Sequence, residues 1–251
     1  MKVEKFKKFD FVVIIPVYNN EDKIQKLKEE LFRYLSKENF YICFVDDSAS
    51  SETFLEIKKN FINNFYVLRR TKIEKYSTRF SASLDGFRWV VNNLNVDFVV
   101  EIDSDLSHHP KDILKGINLL RKDTCDLVIG SKYKKDSIVK NRALTRVLIS
   151  KIITLTCKIL FDSKISDYSN TFRFYKKNLV DKFTDRQILF KSPIGHLHNL
   201  LFILKKGYSI KDISTEYIET NEDSSVKILS MFRYLIEFIY CIILNKFFKK
   251  K

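Results

Sequence analysis

Over the first 131 residues short apolar runs alternate with stretches of helical spacing, without an internal sequence repeat. "FVVIIPV" (11–17) is continuous and β-branched, the pattern of a strand covered on both faces. Ile24, Leu27, Leu31 and Leu35 then recur at helical intervals. "FYICFV" (40–45), "FYVLR" (65–69), "DFVVEID" (97–103) and "CDLVIGS" (125–131) read as further strands, with helices over 54–62, 81–94 and 111–121 between them. Strands alternating with helices through connections this short predict an α/β fold with a mostly parallel sheet wrapped by helices.

In such sheets a ligand sits beyond the carboxyl ends of the strands. Tyr18 and Asn19, Asp46 and Asp47, and Asp103 and Asp105 end three of the runs, so one rim is predicted to carry all of them.

The rest is less regular. "RALTRVLISKIITLTCKILF" (142–161) reads as a basic amphipathic helix, and "DYSNTFRFYKK" (167–177) as a loop entering a short strand. A helix near 196–206 precedes the alternating segment "GYSIKDISTEYI" (207–218). From Val226 onward Ile228, Leu229, Phe232, Leu235, Ile236, Ile239, Ile242 and Ile243 keep helical spacing. Arg233 and Glu237 fall inside that run, which argues against a bilayer span and for a helix lying in a membrane interface or packed on the domain. The expected organisation is one domain over 1–225 followed by a basic amphipathic helix over 226–251.

Composition narrows the class. With 45% apolar residues, five glycines and three prolines in 251 residues, no half of the chain is of low complexity. Cys43, Cys125, Cys157 and Cys241 are scattered in apolar surroundings without a CxxC spacing, as reduced core thiols of a cytosolic protein would be. The start, "MKVEKFKKFDFVVIIPVYNN", mimics a signal peptide, but its apolar run is short and no small-residue cleavage site follows. The net charge of +14 attracts polyanions: nucleic acid, an anionic membrane surface or phosphorylated substrates. Against nucleic acid, no recognised binding motif is present, and the strand-end acids repel phosphates unless metallated.

"EIDSDLSHHPKDI" holds the sharpest chemistry. An x-D-x-D-x pair at a strand end can bind Mg²⁺ or Mn²⁺ through oxygen, with waters and substrate phosphates completing the shell. Ser107 offers a further oxygen, whereas His108 and His109 are softer ligands. Solvated loop acids, or an N-cap before the helix near Pro110, are the plainer alternatives. Ending an apolar strand beside Asp46 and Asp47 favours the cation.

"VVIIPVYNNEDKI", "FVDDSAS", "EIDSDLSHHP", "IGSKY" and "SDYSNTFRFYKK" occur in an order and at distances that resemble family 2 glycosyltransferases of the GT-A fold. Among these the likeness is greatest to the dolichyl-phosphate mannosyltransferases and related polyprenyl-phosphate glycosyltransferases, over about residues 11 to 228. The resemblance implies that Pro16, Tyr18, Asp46 and Asp47 cradle the nucleotide, with Ser104 and Lys227 also on the donor. It implies that Asp103, Asp105 and Ser107 hold the metal and diphosphate. Lys132 and Arg146 would face the acceptor's phosphate, and Asp167 and Arg173 would lie near the acceptor. The implied reaction is inverting transfer from a nucleotide sugar to a polyprenyl or dolichyl phosphate, at the cytoplasmic face of a membrane. A phosphate acceptor needs cations and no general base. Transfer to a saccharide hydroxyl would need a base, for which Asp167 is the candidate. A noncatalytic nucleotide-sugar or polyanion binder is the third reading.

Five departures from the family pattern stand out. Ser48 replaces a glycine, at a cost of about 1 kcal/mol if the turn needs positive φ. Thr171 replaces another glycine, and Asn20 stands where glutamate is frequent. The late basic element falls on Thr220 to Asp223, with Lys227 displaced by one. His196 and His198 replace an acidic position, and at i,i+2 they do not share a helix face, which argues against a zinc pair.

Overall fold

The computed structural model describes residues 7–59, 64–70, 78–161, 163–220 and 228–247. β1 (Lys8–Val17), α1 (Glu21–Leu35), β2 (Phe40–Asp46), α2 (Glu52–Lys58), β3 (Phe65–Arg69), α3 (Arg79–Asn93) and β4 (Asn95–Glu101) form the first half. A 3₁₀ turn (Pro110–Asp112) leads into α4 (Ile113–Arg121) and β5 (Leu127–Ser131). The second half adds β6 (Ile138–Lys140), α5 (Leu144–Phe161), β7 (Arg173–Lys176), α6 (Lys177–Thr184) and α7 (Ile194–Lys205), then β8 (Ile210–Ser214), β9 (Glu216–Ile218) and α8 (Ile228–Phe247).

Seven strands make one sheet in the order β3-β2-β1-β4-β7-β5-β8. All its pairings are parallel except those of β7, which runs antiparallel to both neighbours. That reversal was not in the sequence expectation, and neither were β6 and α6. Apolar clusters fill both faces. Ile24, Leu27 and Leu31 of α1 pack with Ile113 and Ile117 of α4 on one side, and Phe87, Val90, Phe183 and Leu200 lie on the other. The buried stretches 11–17 of β1 and 40–45 of β2 are therefore continuously apolar, because neither of their faces meets water.

Pro16 in a central strand is tolerable for a topological reason. Ile14 O accepts from Ile102 N (3.2 Å) on the β4 side, whereas Val17 O accepts from Asp47 N (2.9 Å) on the β2 side. By that alternation the missing N–H of Pro16 faces β4, whose ladder ends at the pair Ile14 and Glu101. The proline thus sits where β1 and β4 part, at the mouth of the predicted crevice.

Candidate active site

The parallel order brings the ends of β1, β2, β4, β5 and β8 to one rim. Reversed β7 delivers its leading segment, 167–172, to the same rim. Glu101 pairs with Arg173 across β4 and β7, and Ile129 pairs with Arg173 across β5 and β7. Tyr18, Asp46, Asp47, Asp103, Asp105, Lys132 and Asp167 all follow or precede strands on this edge.

The β2 end is buried and built from acids. Asp46 accepts from Ser48 N (3.1 Å) and lies 3.9 Å from Arg69 Nε, and its Oδ2 is buried without a hydrogen-bond partner among the described residues. Asp47 is paired with Arg70 Nη1 at 2.7 Å, and Arg70 also holds Asp85 at 2.8 Å. Tyr18 is exposed at the mouth. Ser48 is not among the positive-φ residues, so replacing glycine there carries no backbone penalty. Its hydroxyl instead accepts from Asn19 N (2.9 Å), whose own φ is 50°. Asn20 accepts from Ser104 Oγ (2.9 Å), which ties the β1 loop to the acidic loop after β4. Thr171 likewise has an ordinary φ.

In the acidic loop, Asp105 accepts from Ser107 N (2.9 Å) and from Thr220 Oγ1 (3.3 Å). Ser107 O in turn accepts from Ile218 N (2.9 Å). The turn holds Leu106 at φ 63°, a left-handed conformation costing an ordinary L-residue about 1–2 kcal/mol. The segment entering residue 220 is thus bound to this loop. Lys227, Asn221 and Asp223 lie outside the described residues.

Asp103 is held by Arg79 Nε, a residue that reading the sequence missed. Arg79 Nη1 also donates to Glu101 Oε1 (3.1 Å) and reaches His196 Nε2 (3.1 Å). Arginine only donates, so His196 must accept at Nε2, and burial drives its pKa far below the ordinary value. Glu101 is fully buried and further bound by Ser83 Oγ (2.6 Å), while burial raises its pKa against the pull of Arg79. Glu101 itself was the missed signal: an acid inside "FVVEID" needs a buried hydrogen-bonding or cationic partner. His198 contacts Arg186 and Asn245 instead, so the two histidines serve different clusters.

Across the rim Lys132 Nζ lies 3.0 Å from Asp167 Oδ2. Asp167 also accepts from Lys132 N, Ser169 N, Ser169 Oγ and Asn170 N. Burial pushes its carboxyl up, but Lys132 and the Ser169 hydrogen bonds outweigh that and hold it below the usual range. Burial pulls the Lys132 ammonium down. Arg146 Nη1 is taken by Glu219 Oε1, whose Oε2 accepts from Ala143 N (3.0 Å). Arg173 is buried and donates to Asn170 O (2.8 Å), His196 O (2.8 Å) and Tyr168 O (3.3 Å), a pin that shapes the loop.

Among the described residues no three or more His, Cys, Asp or Glu side chains gather as a closed metal cage. The partly exposed Asp103 and Asp105 fit a hard cation that takes one or two carboxylates and completes its shell with water and phosphate, as Mg²⁺ and Mn²⁺ do.

This sheet, mostly parallel and flanked by helices, with acids at the ends of β2 and β4, is of the GT-A-like class. The chain belongs to glycosyl transferase family 2, whose family model matches residues 12–184. It is 30% identical over 231 residues to a dolichol-phosphate mannosyltransferase of Pyrococcus furiosus, a match covering 89% of this chain and 61% of that protein. The chain therefore spans about three fifths of that relative's length. It is also 23% identical to the polyprenol monophosphomannose synthase of Mycolicibacterium smegmatis, over 83% of this chain and 77% of that protein. In fold it resembles glucosyl-3-phosphoglycerate synthase of Mycobacterium tuberculosis, solved with Mn²⁺, UDP and phosphoglyceric acid. That likeness has a TM-score of 0.67 at 11% identity and covers 97% of this chain and 80% of that one.

Proposed function

We propose that this domain moves a sugar, with inversion, from a nucleotide diphosphate sugar onto a polyprenyl phosphate at a membrane surface. The observation that carries the choice of acceptor is the state of Asp167. It is buried, accepts from Lys132, Ser169 and Asn170, and keeps a lowered pKa, so it is not poised to take a proton from a sugar hydroxyl. A phosphate monoester arrives already anionic. Its oxygen attacks C1 as the bond from C1 to the diphosphate oxygen breaks, and no proton has to be removed. Lys132 has N–H donors beyond the one given to Asp167, and Arg146 stands beyond it on α5. The names of the two relatives support a lipid phosphate acceptor.

On the donor side, Asp46 Oδ2, which accepts no hydrogen bond among the described residues, suits a ribose hydroxyl, with Pro16, Tyr18 and Asp47 around the base and Ser104 and Lys227 nearby. Asp103, Asp105 and Ser107 would hold Mg²⁺ or Mn²⁺, which neutralises the charge gathering on the departing diphosphate. The Mn²⁺ in the structural neighbour supports that assignment.

No helix among the described residues is long and apolar enough to cross a membrane. The lipid surface would instead be met by α5 and α8, which touch each other. α5 exposes Leu144, Leu148, Ile152, Leu155 and Ile159, and α8 exposes Phe232, Leu235, Ile236 and Ile239. α8 also anchors on the core through Cys241 and Ile242, so in this reading it serves as a docked, lipid-facing helix appended to the domain. α5 carries no acid, and Arg146, Lys151 and Lys158 complement anionic headgroups at the cytoplasmic face.

The test offers purified protein and Mn²⁺ a panel of labelled nucleotide sugars with polyprenyl phosphate, and counts label entering organic solvent. Label from one donor, lost in Asp105→Asn, is the expected result. Donor hydrolysis without lipid product would redirect the assignment to a saccharide hydroxyl. No reaction and no donor binding would leave a noncatalytic binder.

A further inference from the structure

Arg79 occupies the first position of α3, where a cation faces the positive end of the helix dipole. A capping box between Thr78 and Ser81 fixes that helix start, with Ser81 N to Thr78 Oγ1 at 3.2 Å and Thr78 N to Ser81 Oγ at 3.0 Å. Three groups then hold the guanidinium: Glu101 Oε1, His196 Nε2 and Asp103 Oδ1. Two of these are buried and belong to rigid elements, β4 and α7. Asp103, partly exposed and on a loop, is the third. Arg79 Nη2 is buried without a hydrogen-bond partner among the described residues, so the guanidinium is not fully satisfied in this arrangement.

We infer that Arg79 is a resident cation of the acidic loop, tethered by Glu101 and His196, and that its bond to Asp103 competes with the divalent ion and sets how tightly that ion binds. The inference rests on the proposed role of Asp103 and Asp105 as cation ligands. Glu101 accounts for why Arg79 stays. Removing the guanidinium would strand a buried carboxylate, which costs far more than releasing a partly exposed one. The tether therefore holds at Nη1 while Nε gives up Asp103 Oδ1 to the ion. Arg79 acts as a positioning residue that tunes the metal site, and it need not touch the sugar.

The test is Mn²⁺ binding to the protein without donor, followed by the electron paramagnetic resonance signal of free Mn²⁺. Arg79→Gln is expected to bind Mn²⁺ up to about fivefold more tightly than the native chain, the scale of one lost ion-pair competitor. That variant also removes a positive charge near the site, so the decisive variant is Arg79→Gln with Glu101→Gln. It deletes both charges of the tether, leaves the local net charge unchanged and strands no buried acid. Tightening that persists in the double variant supports the competition. Tightening in the single variant alone would reduce the effect to the general field and overturn the inference, as would equal binding in all three proteins. If no form binds Mn²⁺, or if Asp105→Asn binds it as well as the native chain, the assignment of the cation site fails as well. Thermal melts of each variant establish that the titrated protein is folded.

Discussion

The Lys132 ammonium lies 3.0 Å from Asp167 Oδ2, with both side chains closed off from solvent. Lys132→Met would leave Asp167 with backbone and serine donors but no cation. A buried pair broken on one side costs about 3–5 kcal/mol. Urea unfolding should register a loss of that order, and Lys132→Met combined with Asp167→Asn should recover part of it. Equal losses in the single and double variants would mean that the pair is not coupled.

His108 predicts an acid-sensitive fold. It lies between Phe172 and Tyr217 rings, with centroids 5.0 and 4.9 Å away, and burial is the main cause that lowers its pKa from 6.5 to about 3. The unfolded chain binds this proton below pH 6.5 and the native chain does not until about 3. Stability contributed by the neutral ring is thus complete above 6.5 and is lost as pH falls toward 3, by up to about 1.4 kcal/mol per pH unit for one proton. Urea midpoints measured in EDTA between pH 7 and 4 should fall less steeply for His108→Phe than for the native chain.

At Gly116 two opposing effects can be weighed. Alanine in place of glycine in a helix interior gains about 1 kcal/mol. Here the added Cβ would meet the Phe174 ring at 2.5 Å, and overpacking a core costs about 1–3 kcal/mol. Phe174 is fully buried between α4 and the sheet and has no room to withdraw. Gly116→Ala should therefore lower the melting temperature. A rise would show that the ring repacks freely.

Sedimentation with phosphatidylserine vesicles tests the α5 and α8 surface. Lys151→Gln should weaken binding about fivefold, as expected for about 1 kcal/mol per basic residue at an anionic surface, and the loss should shrink in high salt. Ile152→Gln should weaken binding to neutral and anionic vesicles alike, because it removes only apolar contact. A native chain that leaves both kinds of vesicle unbound would remove the membrane reading.

The strand ends were legible because a continuous apolar run that stops at an acid marks where burial stops. Asp46, Asp103 and Asp105 could be placed on one rim from that pattern together with parallel connectivity. The Arg79 cluster was not legible. Its members come from α3, β4, the acidic loop and α7, and an isolated arginine in "STRFSAS" carries no spacing signal. β7 was recognised as a strand, but periodicity is blind to direction, so its reversal stayed hidden. The penalty expected at Ser48 vanished because the loop puts its positive φ at Asn19 and uses the serine hydroxyl to hold it.

That reversed strand has a consequence for how such a domain can diverge. Because β7 separates β4 from β5, the strands that end at Asp46 and Glu101 share no ladder with the one that leads into Lys132. Under the proposed function, substitutions around Lys132 and along α5 can retarget the acceptor while β1, β2 and β4 keep their own register. One scaffold can then be reissued for new lipids without relearning its nucleotide.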